Sequence, residues 1–389
     1  MSEFLLFYGL AMTFRRSAPI AIIVAIVFVL AGAAFISSRL FSGMTDAVEA
    51  DQFRVMGAIV QTAISEAENK ALARAELLAD LPTVQKFLAA GDRTALEAEL
   101  AKMFANQKAR HGVDQAQFHI PPAISFLRLH DPATFGDDLS AFRPMVVAVN
   151  RDRVPLKGAA VARNGPAIFG VSPVFEPGGK HVGSVEIGID YGPLLAGLKT
   201  AYGIDLALFI EESTLRQYAQ GVDPERMGEQ NRVGRYIRFE STNAQLMAEL
   251  AGAEDVAVVN EPVRYVRDAQ GLVRGVLLLP VNSSSGTPLG VIAATADFSA
   301  SRAAVNRSLI WQAVITLIAI VLLSGFVLVA LRGFLLRPLQ VLGQRFDAVS
   351  AGEPLTPIVG SETFPREMQS FVTLYDKIRL RRGEADKVS

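Results

Sequence analysis

Two arginines are the residues best suited to recognising a small molecule. Arg128 lies on an expected strand at 125–129 and Arg163 ends another at 159–163. Each guanidinium could hold a carboxylate or phosphate through two parallel hydrogen bonds. Either could equally be a solvated strand end. Phe126, on the same expected strand as Arg128, could wall an apolar cleft with Phe118 and Phe135, although aromatic residues at strand spacing serve as readily as plain core. His119, His130, Asp137 and Asp138 are of the types that ligate zinc. Their spacing is irregular, and no His-x-His or His-x-x-x-His pattern occurs. Structural roles are expected instead, with Asp137 or Asp138 capping a helix that starts near Leu139. The candidate ligand-contacting set is therefore Arg128, Arg163, Phe126 and His119, with no metal and no cofactor.

Catalysis finds no footing. The chain has no Gly-x-Ser-x-Gly, no Walker-type loop, no Gly-x-Gly-x-x-Gly between strand and helix, and no His-Glu-x-x-His. It is not expected to be an enzyme. All four histidines fall between residues 111 and 181, so the C-terminal region has no imidazole for phosphoryl chemistry. A formal net charge of −1 with mixed signs leaves no nucleic-acid footprint. The absence of cysteine excludes disulfides and thiolate metal sites.

The elements that must position these residues are bracketed by two uncharged apolar runs, 17–38 and 308–331. Each is long enough to cross a hydrocarbon core of roughly 30 Å as a helix. Arginines flank both, so charge alone orients them weakly. The first exceeds the apolar core of a signal peptide, about 7–15 residues, and runs on into a helical pattern, which predicts an uncleaved anchor. Met44, Val48, Phe53, Met56, Val60 and Ile64 keep helical spacing over 40–81. Pro82 restarts the helix, and 84–104 continues with a break at Gly91 and Asp92.

After Gly112, short apolar runs alternate with turns. Strands are expected at 123–129, 159–163, 167–175 and 181–189, with a Pro-Gly-Gly hairpin between the last two. A helix is expected over 139–149. A second set follows, with a helix at 194–202, a buried strand at 204–210, an exposed strand at 235–239 and a short helix at 243–250. Further strands fall at 256–259, 263–267, 272–281 and 289–296. Two sheet modules of roughly 100 residues each suit ordinary domain size.

The run from Phe118 through Pro132, the segment Phe135-Gly136-Asp137-Asp138-Leu139-Ser140, and the downstream Gly170-Val171-Ser172-Pro173-Val174-Phe175 and Gly183-Ser184-Val185-Glu186-Ile187-Gly188 resemble the double Cache sensor domains of bacterial chemoreceptors and sensor kinases. The resemblance implies an extracytoplasmic region with a long stalk helix and two stacked PAS-like sheets, and a small molecule bound in the membrane-distal one. The Tyr, Arg, Trp, Tyr cluster of the amino-acid-binding type is missing, because Trp311 lies in an apolar run. An amino acid held that way is not expected.

Beyond the second run, Pro338 opens a stripe of Leu339, Leu342, Phe346 and Val349. Gly352, Pro354 and Pro357 form a linker, Glu367 opens a second helix, and Met368, Phe371, Tyr375 and Ile378 make a second stripe. This pattern resembles a HAMP module, in which two helices per subunit join those of a partner in a parallel four-helix coiled coil. The expected fold class is α+β, divided as a cytoplasmic N-terminus (1–16), a transmembrane helix (17–38), a stalk helix (39–81), a membrane-distal module (82–203), a membrane-proximal module (204–307), a transmembrane helix (308–331), a HAMP-like relay (332–380) and a tail (381–389). The expected function is a homodimeric, multi-pass signal transducer of the bacterial inner membrane. It would detect a small molecule in the periplasm and act on a separate cytoplasmic partner in chemotaxis or two-component signalling. The alternatives are a membrane-anchored scaffold that docks another extracytoplasmic protein, or the sensor portion of a longer receptor.

Overall fold

The computed structural model describes residues 2–257, 259–351 and 353–385. Gly352, Met1 and the last four residues of the 381–389 tail lie outside them. The chain forms two compact units, one of Asp46–Arg302 and one that joins Met1–Thr45 to Ala303–Ser389.

Helix α1 (Ser2–Ala79) runs without interruption from the first apolar run into the stalk. Within the larger unit its buried face is Phe53, Met56, Val60, Ala67, Ala71, Ala75 and Leu78, a stripe at three-, four- and seven-residue steps. α2 (Pro82–Ala89) starts on the expected proline, and α3 (Arg93–His111) is capped by Asp92, whose carboxylate accepts from the Ala95 amide at 3.0 Å.

The first sheet module, the one expected to be membrane-distal, follows as β1 (Val113–Ile120), β2 (Ile124–Arg128), α4 (Pro144–Asp152), β3 (Leu156–Ala162), β4 (Gly165–Phe175) and β5 (His181–Asp190). Its five strands are antiparallel in the order β2-β1-β5-β4-β3. One face packs on the helices through Leu78, Val84, Leu96, Phe118, Leu127 and Val185. α4 covers the other face, setting Met145, Val146 and Val149 on Ala162, Phe169 and Val171.

The second sheet module, the one expected to be membrane-proximal, comprises α5 (Tyr191–Tyr202), β6 (Asp205–Glu211), α6 (Glu212–Tyr218), β7 (Arg232–Val233), β8 (Tyr236–Ser241), α7 (Ala244–Leu250), α8 (Ala253–Val256), β9 (Val263–Ala269), β10 (Leu272–Asn282) and β11 (Pro288–Asp297). Its strand order is β7-β8-β6-β11-β10-β9, again antiparallel. One face packs on α1 and α5 through Phe53, Val60, Leu195, Leu206 and Phe298. Under α7 the other face is filled by Phe209, Leu246, Met247, Leu250, Leu278 and Val291.

Four expectations need correction. The helix expected from Leu139 begins at Pro144, because Asp138 turns the chain first: its Oδ1 accepts from the Ser140 amide at 2.8 Å and hydroxyl at 2.6 Å. The strand expected at 256–259 gives way to α8, whose Asp255 carboxylate accepts from the Gly252 amide at 2.8 Å and closes a helical turn; Val258 lies outside the described residues. The strand expected to be exposed at 235–239 is β8, an interior strand with Tyr236, Ile237 and Phe239 buried. Strand β1 was not expected, because Asp114, Gln115, Gln117 and His119 break its apolar run, yet it pairs on both sides.

In the second unit, α9 (Ser299–Ala330) leads through a π-helical turn at Leu331–Leu336 into α10 (Arg337–Ala351), and α11 (Arg366–Ala385) follows. Two long helices, Pro19–Ala79 and Ser299–Ala351, each contain a window apolar enough to cross a membrane, and none of either window is buried within the protein. Leu342, Ile358, Val372 and Tyr375 form the intrachain core of the α10–α11 pair, with Val341, Phe346, Val349 and Met368 against it. Leu339 and Phe371, expected in the seam, are 51% and 54% exposed within one chain. Val372 rather than Phe371 faces α10. Pro338 is buried at the start of α10.

Candidate functional site

The polar face of the five-stranded sheet is built by strand alternation. Gln115, Gln117 and His119 take every second position of β1 and are all buried, opposite Gly188, Glu186 and Ser184 of β5. Arg128 of β2 pairs in register with Gln117. The loop before α4 then supplies Asp137, Phe142 and Arg143. Of these groups Gln115, Gln117, Arg128, Asp137, Phe142 and Arg143 line a cavity of about 170 Å³, to which Arg163 also contributes.

Buried charge here is held in pairs. Arg128 makes a bidentate bridge to Asp137 at 2.9 and 2.7 Å and donates to the Thr134 carbonyl at 2.7 Å. The hydrogen bond from Arg128 holds the Asp137 carboxyl below its usual range. Arg143 meets the Glu186 carboxylate and lies over the Phe169 ring, 4.3 Å from its centroid. Burial, with Arg128 nearby, pushes the Arg143 guanidinium down to about 9. Contact with Glu186 opposes that shift, and Arg143 is charged at neutral pH. His119 is wholly inaccessible, 3.7 Å from Glu186, and neither ring nitrogen has a hydrogen-bond partner. Burial first, then Arg143 and Arg128, depress its pKa well below the usual histidine range, so the ring is neutral.

Of the residues expected to contact a ligand, Arg128 and Arg163 line the cavity, the first at its wall and the second exposed at its rim. His119 lies outside the lining, against Glu186. Phe126 does not line it either. The β1–β2 register slips between Phe118 and His119, and Phe126 packs with the helix-side core. Asp137 and Asp138 are adjacent but divergent, one bound to Arg128 and the other to Ser140. Among the described residues no group of three or more His, Asp or Glu side chains could hold a metal ion. Gln115, Arg143 and Glu186 were missed by sequence reasoning. The alternation of Gln115, Gln117 and His119 between apolar residues was the available signal.

Residues 49–224 match the dCache_3 family model, described as the double sensory domain of two-component sensor kinase. No curated protein matches the chain. Among solved structures, the ligand-binding domain of the Campylobacter jejuni chemoreceptor Tlp3, in complex with 4-methylisoleucine, aligns at 10% identity over 67% of this chain and 94% of that one, with a TM-score of 0.40. An extracellular ligand binding receptor from Desulfohalobium retbaense aligns at 12% identity over 62% of this chain and 40% of that one, with a TM-score of 0.36. The matched family region includes every side chain that lines the cavity, and residues 49–224 of this chain are a double Cache sensory domain.

Proposed function

We propose that the chain is a membrane-anchored sensor that binds a small polar molecule in the membrane-distal cavity and passes the change through its last two helices to a separate cytoplasmic partner. One observation carries this reading. The cavity is lined by the paired charges Arg128, Asp137 and Arg143, and by Arg163 and Gln115, whose side chains have no hydrogen-bond partner among the described residues. A site held ready in this way favours ligand recognition over the docking of another protein.

In this reading the windows in α1 and α9 cross the inner membrane of a bacterium, both termini are cytoplasmic, and the sensory domain lies outside. The role is not enzymatic. α10 and α11 form a HAMP-like relay, and a second copy supplies the other half of a four-helix bundle. Support comes from Leu339, Phe371 and Leu374, which are large, apolar and exposed within one chain.

The test is thermal unfolding of the full chain in nanodiscs, screened against polar metabolite fractions. At least one compound is expected to raise the unfolding temperature, and Arg163→Ala should abolish the shift. A compound that stabilises wild type, Arg163→Ala and Gln115→Ala equally binds elsewhere and overturns the assignment.

A further inference from the structure

The cavity does not belong to the distal module alone. Its mouth is closed by Gln217 and Tyr218 of α6 and by Gln220 just beyond, all on the connection that follows β6 of the proximal sheet. This segment is fixed against the distal module. The Gly221 amide donates to the Arg163 carbonyl at 2.8 Å, and the Tyr218 ring meets Phe142 edge-on, with centroids 6.0 Å apart.

The hydrogen-bonding capacity facing the cavity is unevenly committed. Asp137 is taken by Arg128, Arg143 by Glu186 behind it, Asp138 by Ser140, and the Gln117 amide donates to Ser125 at 2.9 Å. Gln115 is only 7% exposed, yet its carboxamide has no hydrogen-bond partner among the described residues. Lining a cavity and unpaired within the chain, this carboxamide is open to a partner supplied from outside it. Arg163, Gln217 and Gln220 are exposed at the mouth and have no side-chain hydrogen bonds among the described residues, so they are free to turn to a ligand. The acids are thus satisfied while one guanidinium, three carboxamides and Nδ1 of His130 remain open among the described residues. Such a set suits a single carboxylate on Arg163 and hydroxyl or carbonyl groups on the amides. A cavity of about 170 Å³ fits a small metabolite, since drug-sized ligands occupy roughly 300–1,000 Å³.

We propose, resting on the sensing reading, that Gln217 and Gln220 are ligand-contacting, specificity-determining residues. The ligand is a small hydroxy- or keto-monocarboxylate that bridges the two modules, its carboxylate on Arg163 and its oxygens between Gln115 and these two amides. Binding then ties the proximal module to the distal one through the ligand itself.

The experiment measures binding to the full chain in nanodiscs by calorimetry and thermal shift. The probes are two- to six-carbon hydroxy- and keto-carboxylates, each beside its primary amide. An acid should bind, its amide should not, and Arg163→Gln should remove binding. Gln217→Ala and Gln220→Ala should each weaken it by about tenfold, the scale of a lost hydrogen bond to a charged or polar ligand, without moving the ligand-free unfolding temperature. If Gln115→Ala and Arg163→Gln abolish binding while the Gln217→Ala, Gln220→Ala double variant binds as wild type does, the distal site stands and the bridging role falls. If an amide binds as well as its acid, or no acid binds, the carboxylate assignment falls while the sensor reading is judged on its own screen.

Discussion

Arg143 and Glu186 show how unequal two ion pairs on one sheet face can be. Both members are buried, so Arg143→Ala strands a carboxylate without water or partner and should cost ~3–5 kcal/mol. Arg128→Ala should cost less, because Asp137 is half open to solvent and rehydrates. Chemical unfolding of the full chain in detergent would measure both, and equal losses would contradict the burial difference. His119 sets a pH dependence of definite sign. Its folded pKa lies below the unfolded value of about 6.5, so its contribution is complete above that pH and is lost as pH falls below it. His130 and His181, also lowered by burial, act in the same direction. The groups around His119 are Glu186, Arg143, Arg128 and Asp137. Unfolding temperatures should drop between pH 7 and pH 5, and more steeply in wild type than in His119→Gln. Identical slopes would mean that the ring is not held neutral. At this scale Arg128 and Arg163 were legible because each stands at a strand end, whereas Arg143 and Glu186 were not, since nothing local in sequence pairs a loop arginine with a strand glutamate.

The elements were easier to read than the contacts between them. Proline and glycine punctuation located α2, α3 and the β4–β5 hairpin, because those residues fix or free the backbone directly. β1 escaped because its alternation is polar toward the cavity, the reverse of the usual pattern in which the core-facing side is apolar. Gly170 was equally silent. A Cβ there would lie 2.2 Å from the Leu72 backbone nitrogen, so β4 approaches α1 at a point where a side chain cannot fit. Gly170→Ala should therefore force strand and stalk apart and cost ~1–3 kcal/mol or more, read as a lowered unfolding temperature. An unchanged temperature would mean that the strand shifts freely. At the base of the same unit, Arg302 bridges Glu49 at 2.7 Å and Phe53 meets Phe298 edge-on with centroids 5.0 Å apart, which ties the start of α9 to the stalk.

For the whole molecule, the apolar runs and the stripes of α10 and α11 were visible in sequence, but the choice of seam was not. Both Phe371 and Val372 are apolar and adjacent, and only packing decides that Val372 faces α10 while Phe371 and Leu339 are left open. That assignment makes the relay testable in a chain without cysteine. Leu339→Cys should crosslink to its own counterpart in membranes far faster than Gln344→Cys if α10 lies in a dimer seam. The most direct test of the sensor as a whole is the crosslinking rate at Leu339→Cys, measured with and without a compound that stabilises the sensory domain. A rate that changes at least twofold with the compound, and does not change in the Arg163→Ala background, is the predicted result. A rate indifferent to the compound, or one that responds equally when Arg163 is gone, would contradict the claim that the distal cavity drives the relay.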